Sequence, residues 1–132
     1  MTAPVLGIAV GAAAVAAFLL SGAYYLLVGG RLAELAPAYA HPRPAALTAA
    51  VELARNIVLA LVVTWLTAGL GIGAALLTAL ALWVAFPVVL LAGAVFHERV
   101  PVALAAIHAG DWLVKLLAIA ALVTWARQAG GV

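Results

Sequence analysis

The chain contains no cysteine and only a thin scatter of charge: six Lys and Arg, four Asp and Glu, and three His among 132 residues. Without cysteine there are no disulfides, thiolate metal sites, thiol nucleophiles or cysteine-borne lipid anchors, and nothing reports on a redox compartment. The net charge of +2 is spread along the chain, with no basic run able to track a phosphate backbone, so nucleic acid binding is excluded. Ser21 is the only serine and has no histidine near it in sequence, which argues against a serine hydrolase. His41 and His97 with Glu98 follow no metal-ligand spacing and read as interfacial polarity. No metal, cofactor or enzymatic activity is expected.

What remains is apolar. Seventy per cent of the residues are hydrophobic, and the mean hydropathy is +1.32. A chain this short cannot bury so much apolar surface in one soluble core, so its solvent is lipid. Crossing a bilayer takes about 20 apolar residues, and four stretches qualify, at about 5–28, 47–68, 74–95 and 101–126. The expected fold is therefore all-α, an integral membrane four-helix bundle forming a single transmembrane domain over the whole chain. Small residues at Ser21, Gly22 and Ala23 give the first stretch a passing likeness to a secretory leader. No Lys or Arg precedes it and its apolar run is long, so it reads as an uncleaved span.

The connections follow from glycine and proline. Gly29 to Ala46 is polar and proline-bearing, with one interfacial turn expected between Arg31 and Ala36 before Pro37. Gly69 to Gly73 is a tight hairpin turn, Pro87 kinks the third span, and Pro101 suits the first turn of the fourth. A short tail follows. Arg31, Arg43 and Arg99 fall on one side of the membrane against Arg127 on the other, which places both termini outside. Trp65 and Trp125 then fit the outer headgroup region. Alanine-rich composition with arginine preferred to lysine points to a bacterial genome rich in G and C, and hence to the bacterial inner (cytoplasmic) membrane.

LLSGAYY at Leu19 to Tyr25 resembles LLAGAVF at Leu90 to Phe96. His41, Arg43 and Ala49 to Val51 align with His97, Arg99 and Ala105 to Ile107, and VTW recurs at Val63 and Val123, out of phase with that match by four residues, about one helical turn. This is the pattern of a duplicated helical hairpin, with a pseudo-twofold axis along the membrane normal.

Charges inside the spans carry the functional signal, because an ionisable residue in hydrocarbon is costly and retained for a reason. Glu52 and Arg55 lie in the second span; His108, Asp111 and Lys115 lie in the fourth. Spacings of three and four put each set on one helical face. Counted inward from the helix ends, all but Lys115 sit roughly 10 to 15 Å from the same side, at 1.5 Å per residue. The two carboxylates and two cations make a neutral cluster, with Arg55 pairing Asp111 and Glu52 pairing Lys115 or His108. Asn56, Tyr24, Tyr25 and Trp112 are secondary candidates. Gly7 and Gly11 form a GxxxG that permits close helix contact.

GAYYLLVGG, VELARNIVLALV, WVAFPVVLLAGAVFHERVP and above all AAIHAGDWLVKLL resemble a family of small bacterial membrane proteins catalogued as domain of unknown function 1761. The likeness is closest to actinobacterial members at His108, Gly110, Asp111, Trp112 and Lys115, where other members more often read Asn-Ala-Gly-Tyr-His. The resemblance implies the four-span architecture and transfers no catalytic residue. Two functions fit the residues: transport or conduction of a proton, ion or small solute, or a structural or accessory subunit bound to another membrane protein or to lipid. In the first, Asp111 is the acceptor, His108 its pH-responsive neighbour, and Glu52 and Arg55 the balancing pair. Partners are the bilayer and either further copies of the chain or another membrane protein.

Overall fold

The structure, a computed structural model, describes residues 2–130. The first and last two residues of the chain, including the end of the expected tail, lie outside the described residues. Helix α1 runs Ala3–Val28, with Pro4 in its first turn, where a missing N–H costs nothing. A 3-10 turn over Gly29–Arg31 leads into the single-turn helix α2, Leu32–Leu35, which ends where Ala36 becomes extended before Pro37. Pro44 then delivers the chain to α3, Ala45–Leu66.

Gly69, at φ 75, supplies the left-handed residue of the turn between α3 and α4, Ile72–Trp83. Pro87 does not break the third span. The helix passes it as a π turn over Val84–Val88 and continues as α5, Val89–His97, because a wider turn absorbs the missing N–H. Arg99, at φ 57, closes α5, with the Val100 amide reaching back to the Ala94 carbonyl at 3.3 Å. Helix α6, Val102–Ala129, starts directly after Pro101. Four helical segments are thus long and apolar enough to cross a bilayer: Ala3–Leu35, Ala45–Leu66, Ile72–His97 and Val102–Ala129.

Helix α6 is the hub, packing against α1, α3 and α4, while α1 also packs against α3. Its burial is greatest in the half of the bundle away from residues 29–44. There Ala13, Ala14 and Ala17 of α1, Ala60 and Val63 of α3, Ala79 of α4, and Ile119, Ala120 and Val123 of α6 are fully buried in one cluster. Small side chains let backbones approach closely, the main source of helix association where lipid is as apolar as the core. At the same end Arg127 donates to the Thr64 carbonyl and, at 3.3 Å, to the Thr67 hydroxyl, satisfying the C-terminal turn of α3.

The α3–α4 turn does not produce a packed pair, since α4 leaves it to lie on α6. Each expected hairpin, α1 with α3 and α4 with α6, packs internally. The α1–α6 contact has no comparable α3–α4 counterpart, as a twofold relation between the hairpins would require. Gly7 and Gly11 are exposed with open space beside them, so their GxxxG makes no helix contact within the protomer.

Candidate functional site

The hub helix presents His108, Asp111, Trp112 and Lys115 on successive turns toward α1 and α3. Asp111 and Lys115 are each 3% exposed, and the Lys115 ammonium lies 2.6 Å from Asp111 Oδ2. Ser21 of α1 donates to Asp111 Oδ1 at 2.5 Å. Lys115 also reaches Glu52 Oε2 of α3 at 3.7 Å, and Glu52 Oε1 accepts from Arg55 Nη1 at 2.5 Å. The result is an alternating chain, Ser21–Asp111–Lys115–Glu52–Arg55, with formal charges that cancel. Trp112 lies alongside, its ring centroid 5.4 Å from the Lys115 ammonium and 5.8 Å from the Arg55 guanidinium, within cation–π range.

The pairing differs from the sequence reading. Arg55 turns to Glu52 on its own helix, one turn away, instead of to Asp111. The link between helices falls to Lys115, whose long stem reaches both carboxylates. His108 stands apart from the ion pairs: Tyr25 and Tyr39 flank its ring, with Tyr25 Oη 2.7 Å from Nδ1 and Tyr39 Oη 3.0 Å from Nε2. In a neutral imidazole one nitrogen donates and the other accepts, so the two tyrosines play opposite roles. Partial burial, with the Glu52 carboxylate adding to it, pushes the Tyr39 hydroxyl above its ordinary value and keeps it protonated.

Two further donors fasten the turn of α6 that carries Asp111. Tyr24 donates to the Ile107 carbonyl at 2.7 Å, and Trp83 Nε1 donates to the Ala109 carbonyl at 2.8 Å. Tyr24 fits because position 110 is glycine: a Cβ there would fall on the Tyr24 hydroxyl and 3.0 Å from its Cζ. Sequence reasoning missed Ser21, Tyr39 and Trp83 as members of the site. Ser21 was legible in principle, because with Tyr24 and Tyr25 it forms an i, i+3, i+4 polar stripe in an apolar span. Tyr39 sits in an irregular connection and carries no such signal.

A cavity of about 850 Å³ leads to this cluster. Its mouth is edged by Tyr39, Pro42, Arg43 and Ala45; Phe18, Gly22 and Ala49 form its walls, and Asn56, Asp111 and Lys115 lie at its inner end. Below them begins the alanine-packed core, so the cavity extends from the side of residues 29–44 and ends against that core. Asn56 is 2% exposed, and its Nδ2 has no hydrogen-bond partner among the described residues. Arg43 forms no ion pair among the described residues.

Four helices of spanning length around a buried charged cluster define a multi-pass membrane protein of the four-helix-bundle class. The family model described as "Protein of unknown function (DUF1761)" matches residues 8–124, and the chain belongs to that family. No curated protein and no solved structure matches the chain.

Proposed function

We propose that the protein is a membrane carrier for a proton, ion or small solute, with Asp111 and its partners as the binding site. The observation that carries this reading is the one-sided cavity. It leads from the side of residues 29–44 to a buried set of charges and ends against the alanine-packed core, an arrangement that suits a carrier opening to one side at a time. A solute cation competes with Lys115 for Asp111 and Glu52; an anion competes with them for Lys115. Arg31, Arg43 and Arg99 flank the open side, which supports a cytoplasmic position for it, both termini outside, in a bacterial inner membrane. The near-complete satisfaction of Asp111 by Ser21 and Lys115 favours a second reading, an accessory subunit in which the ion pairs set helix register.

The cysteine-free sequence makes the test direct. Ala49→Cys on the cavity wall and Asn56→Cys at its inner end are exposed to a membrane-impermeant thiol reagent from either side of oriented vesicles. A carrier gives modification of Ala49→Cys from the basic side and of Asn56→Cys from both, with flux in proteoliposomes lost in Asp111→Asn. Modification of Asn56→Cys from one side only, with no dependence of flux on Asp111, overturns the proposal in favour of the accessory role.

A further inference from the structure

Arg55 and Trp112 are shared between the polar cavity and the outer side of α3 and α6. Arg55 and Trp112 line the cavity on one side and, on the other, a hollow of about 470 Å³ whose remaining walls are Ala54, Val58, Leu59 and Val62. Arg55 is anomalous for a residue about 15 Å inside a span at 1.5 Å per residue. Its side chain is 51% exposed. An arginine at that depth is costly, and its ion-pair partner among the described residues, Glu52, lies on its own helix.

We infer that the site takes a single-chain amphiphile with an anionic headgroup, the headgroup in the cavity and the chain in the outer hollow, with Arg55 and Trp112 forming the lateral passage between them. The inference deepens the carrier reading and rests on it only in treating the cavity as a ligand site. The sign of the headgroup follows from the charges. Glu52 and Asp111 are matched by Arg55 and Lys115, which among the described residues leaves Arg43 at the mouth as an unmatched cation and Asn56 Nδ2 as a buried donor without an acceptor. Both are answered by a carboxylate or phosphate. The chain follows from the hollow, which apart from Arg55 is apolar, lies at membrane depth and meets the cavity where Arg55 is held only by an i, i+3 ion pair and a ring face. A small soluble anion has no use for that shallow apolar surface. An anionic headgroup drawn past Arg55 also meets its charge, which Glu52 alone neutralises in the structure.

The test uses the full chain in vesicles of zwitterionic lipid with a long-chain fatty acid that carries a photoreactive diazirine near mid-chain. Adducts are expected on peptides containing Val58, Val62 and Trp112. A long-chain carboxylate should compete and acetate should not. Val58→Trp, which fills the hollow, should cut labelling about tenfold, as should Arg43→Gln, each equivalent to one good contact. Val58→Ala, which leaves the hollow open, should retain labelling, so that misfolding of the Trp variant cannot imitate the result. Leu77→Trp, on an exposed face of α4, should leave labelling unchanged. Equal competition by acetate, adducts spread evenly over all outward helix faces, or disulfide linkage of two copies through Val58→Cys would each overturn the inference, the last by seating a second chain in the hollow. Site-specific labelling with one-sided access at Asn56→Cys and flux independent of Asp111 removes the carrier and leaves the amphiphile site standing; two-sided access without such labelling removes only the amphiphile.

Discussion

Removing one member of the Asp111–Lys115 pair should cost far more than removing both. In Asp111→Leu the Lys115 ammonium, 3% exposed and losing a partner at 2.6 Å, keeps the Glu52 carboxylate at 3.7 Å and the Trp112 ring face. Breaking a buried pair in this way costs about 3–5 kcal/mol, because the desolvated charge outlives its compensation. Lys115→Met is milder, at about 2–3 kcal/mol, since Asp111 still accepts from Ser21 and a hydrogen bond to a charged group retains about 1.5–3 kcal/mol. In the double variant no uncompensated charge remains at these two positions. The released Ser21 hydroxyl can turn to a carbonyl in the preceding turn of α1, and Glu52 still holds Arg55. Its net cost should be about 0–2 kcal/mol, which makes the coupling between the two sites at least about 3 kcal/mol.

The assay is unfolding of the purified chain by SDS in mixed micelles, followed by the fluorescence of the native tryptophans. Trp112 lies against Lys115, and Trp83 is bonded to the turn that carries Asp111, so both report on this region. Additive single costs, or a double variant as unstable as the worse single, would refute the claim that each charge is buried chiefly against the other. Flux decides a separate matter: an accessory role predicts that the double variant keeps full function, whereas a carrier loses transport while keeping its fold.

Gly110→Ala gains about 1 kcal/mol of helix propensity but displaces the Tyr24 hydroxyl from the Ile107 carbonyl, so the same SDS titration should give a net loss of about 1–2 kcal/mol. In a Tyr24→Ala background, where that clash is gone, the change should become stabilising, and persistent destabilisation would contradict the geometry. Arg127→Gln should cost about 1–2 kcal/mol by freeing the Thr64 carbonyl and Thr67 hydroxyl, and Arg127→Lys should recover only part of it because the fork is lost. Arg99→Gly should stabilise by about 1 kcal/mol, since Arg99 holds a left-handed conformation that glycine adopts without strain, and a loss there would count against the closure of α5.

The number and position of the spans were legible because lipid imposes a length and a composition on any segment that crosses it, and four runs meet both. Helix pairing was less legible. The glycine turn at 69–73 is short and marks α3 and α4 as neighbours in sequence, yet α4 packs on α6. Between helices apolar on nearly every side, a hydrophobic stripe names no partner. The choice falls to small residues such as Ala13, Ala17, Ala79 and Ala120, whose spacing is one of many in an alanine-rich chain.

The charged cluster was legible to a similar degree and for a related reason. Spacings of three and four on α3 and α6, together with a common depth, identify the residues that meet, because both quantities follow from helix geometry alone. They do not decide which charge takes which partner, and there the reach of the side chains rules. Arg55, one turn from Glu52, closes on its own helix; Lys115, one turn deeper than Asp111, has the length to bridge both carboxylates. That division has a functional consequence. The pair within α3 is half-open and can part without moving a helix, whereas the Lys115 links tie α6 to α3 beside a core already closed by alanine. If the site takes the anionic amphiphile proposed above, a headgroup entering between α3 and α6 would meet Arg55 before Lys115, and its entry would be governed by the more weakly held of these two cations.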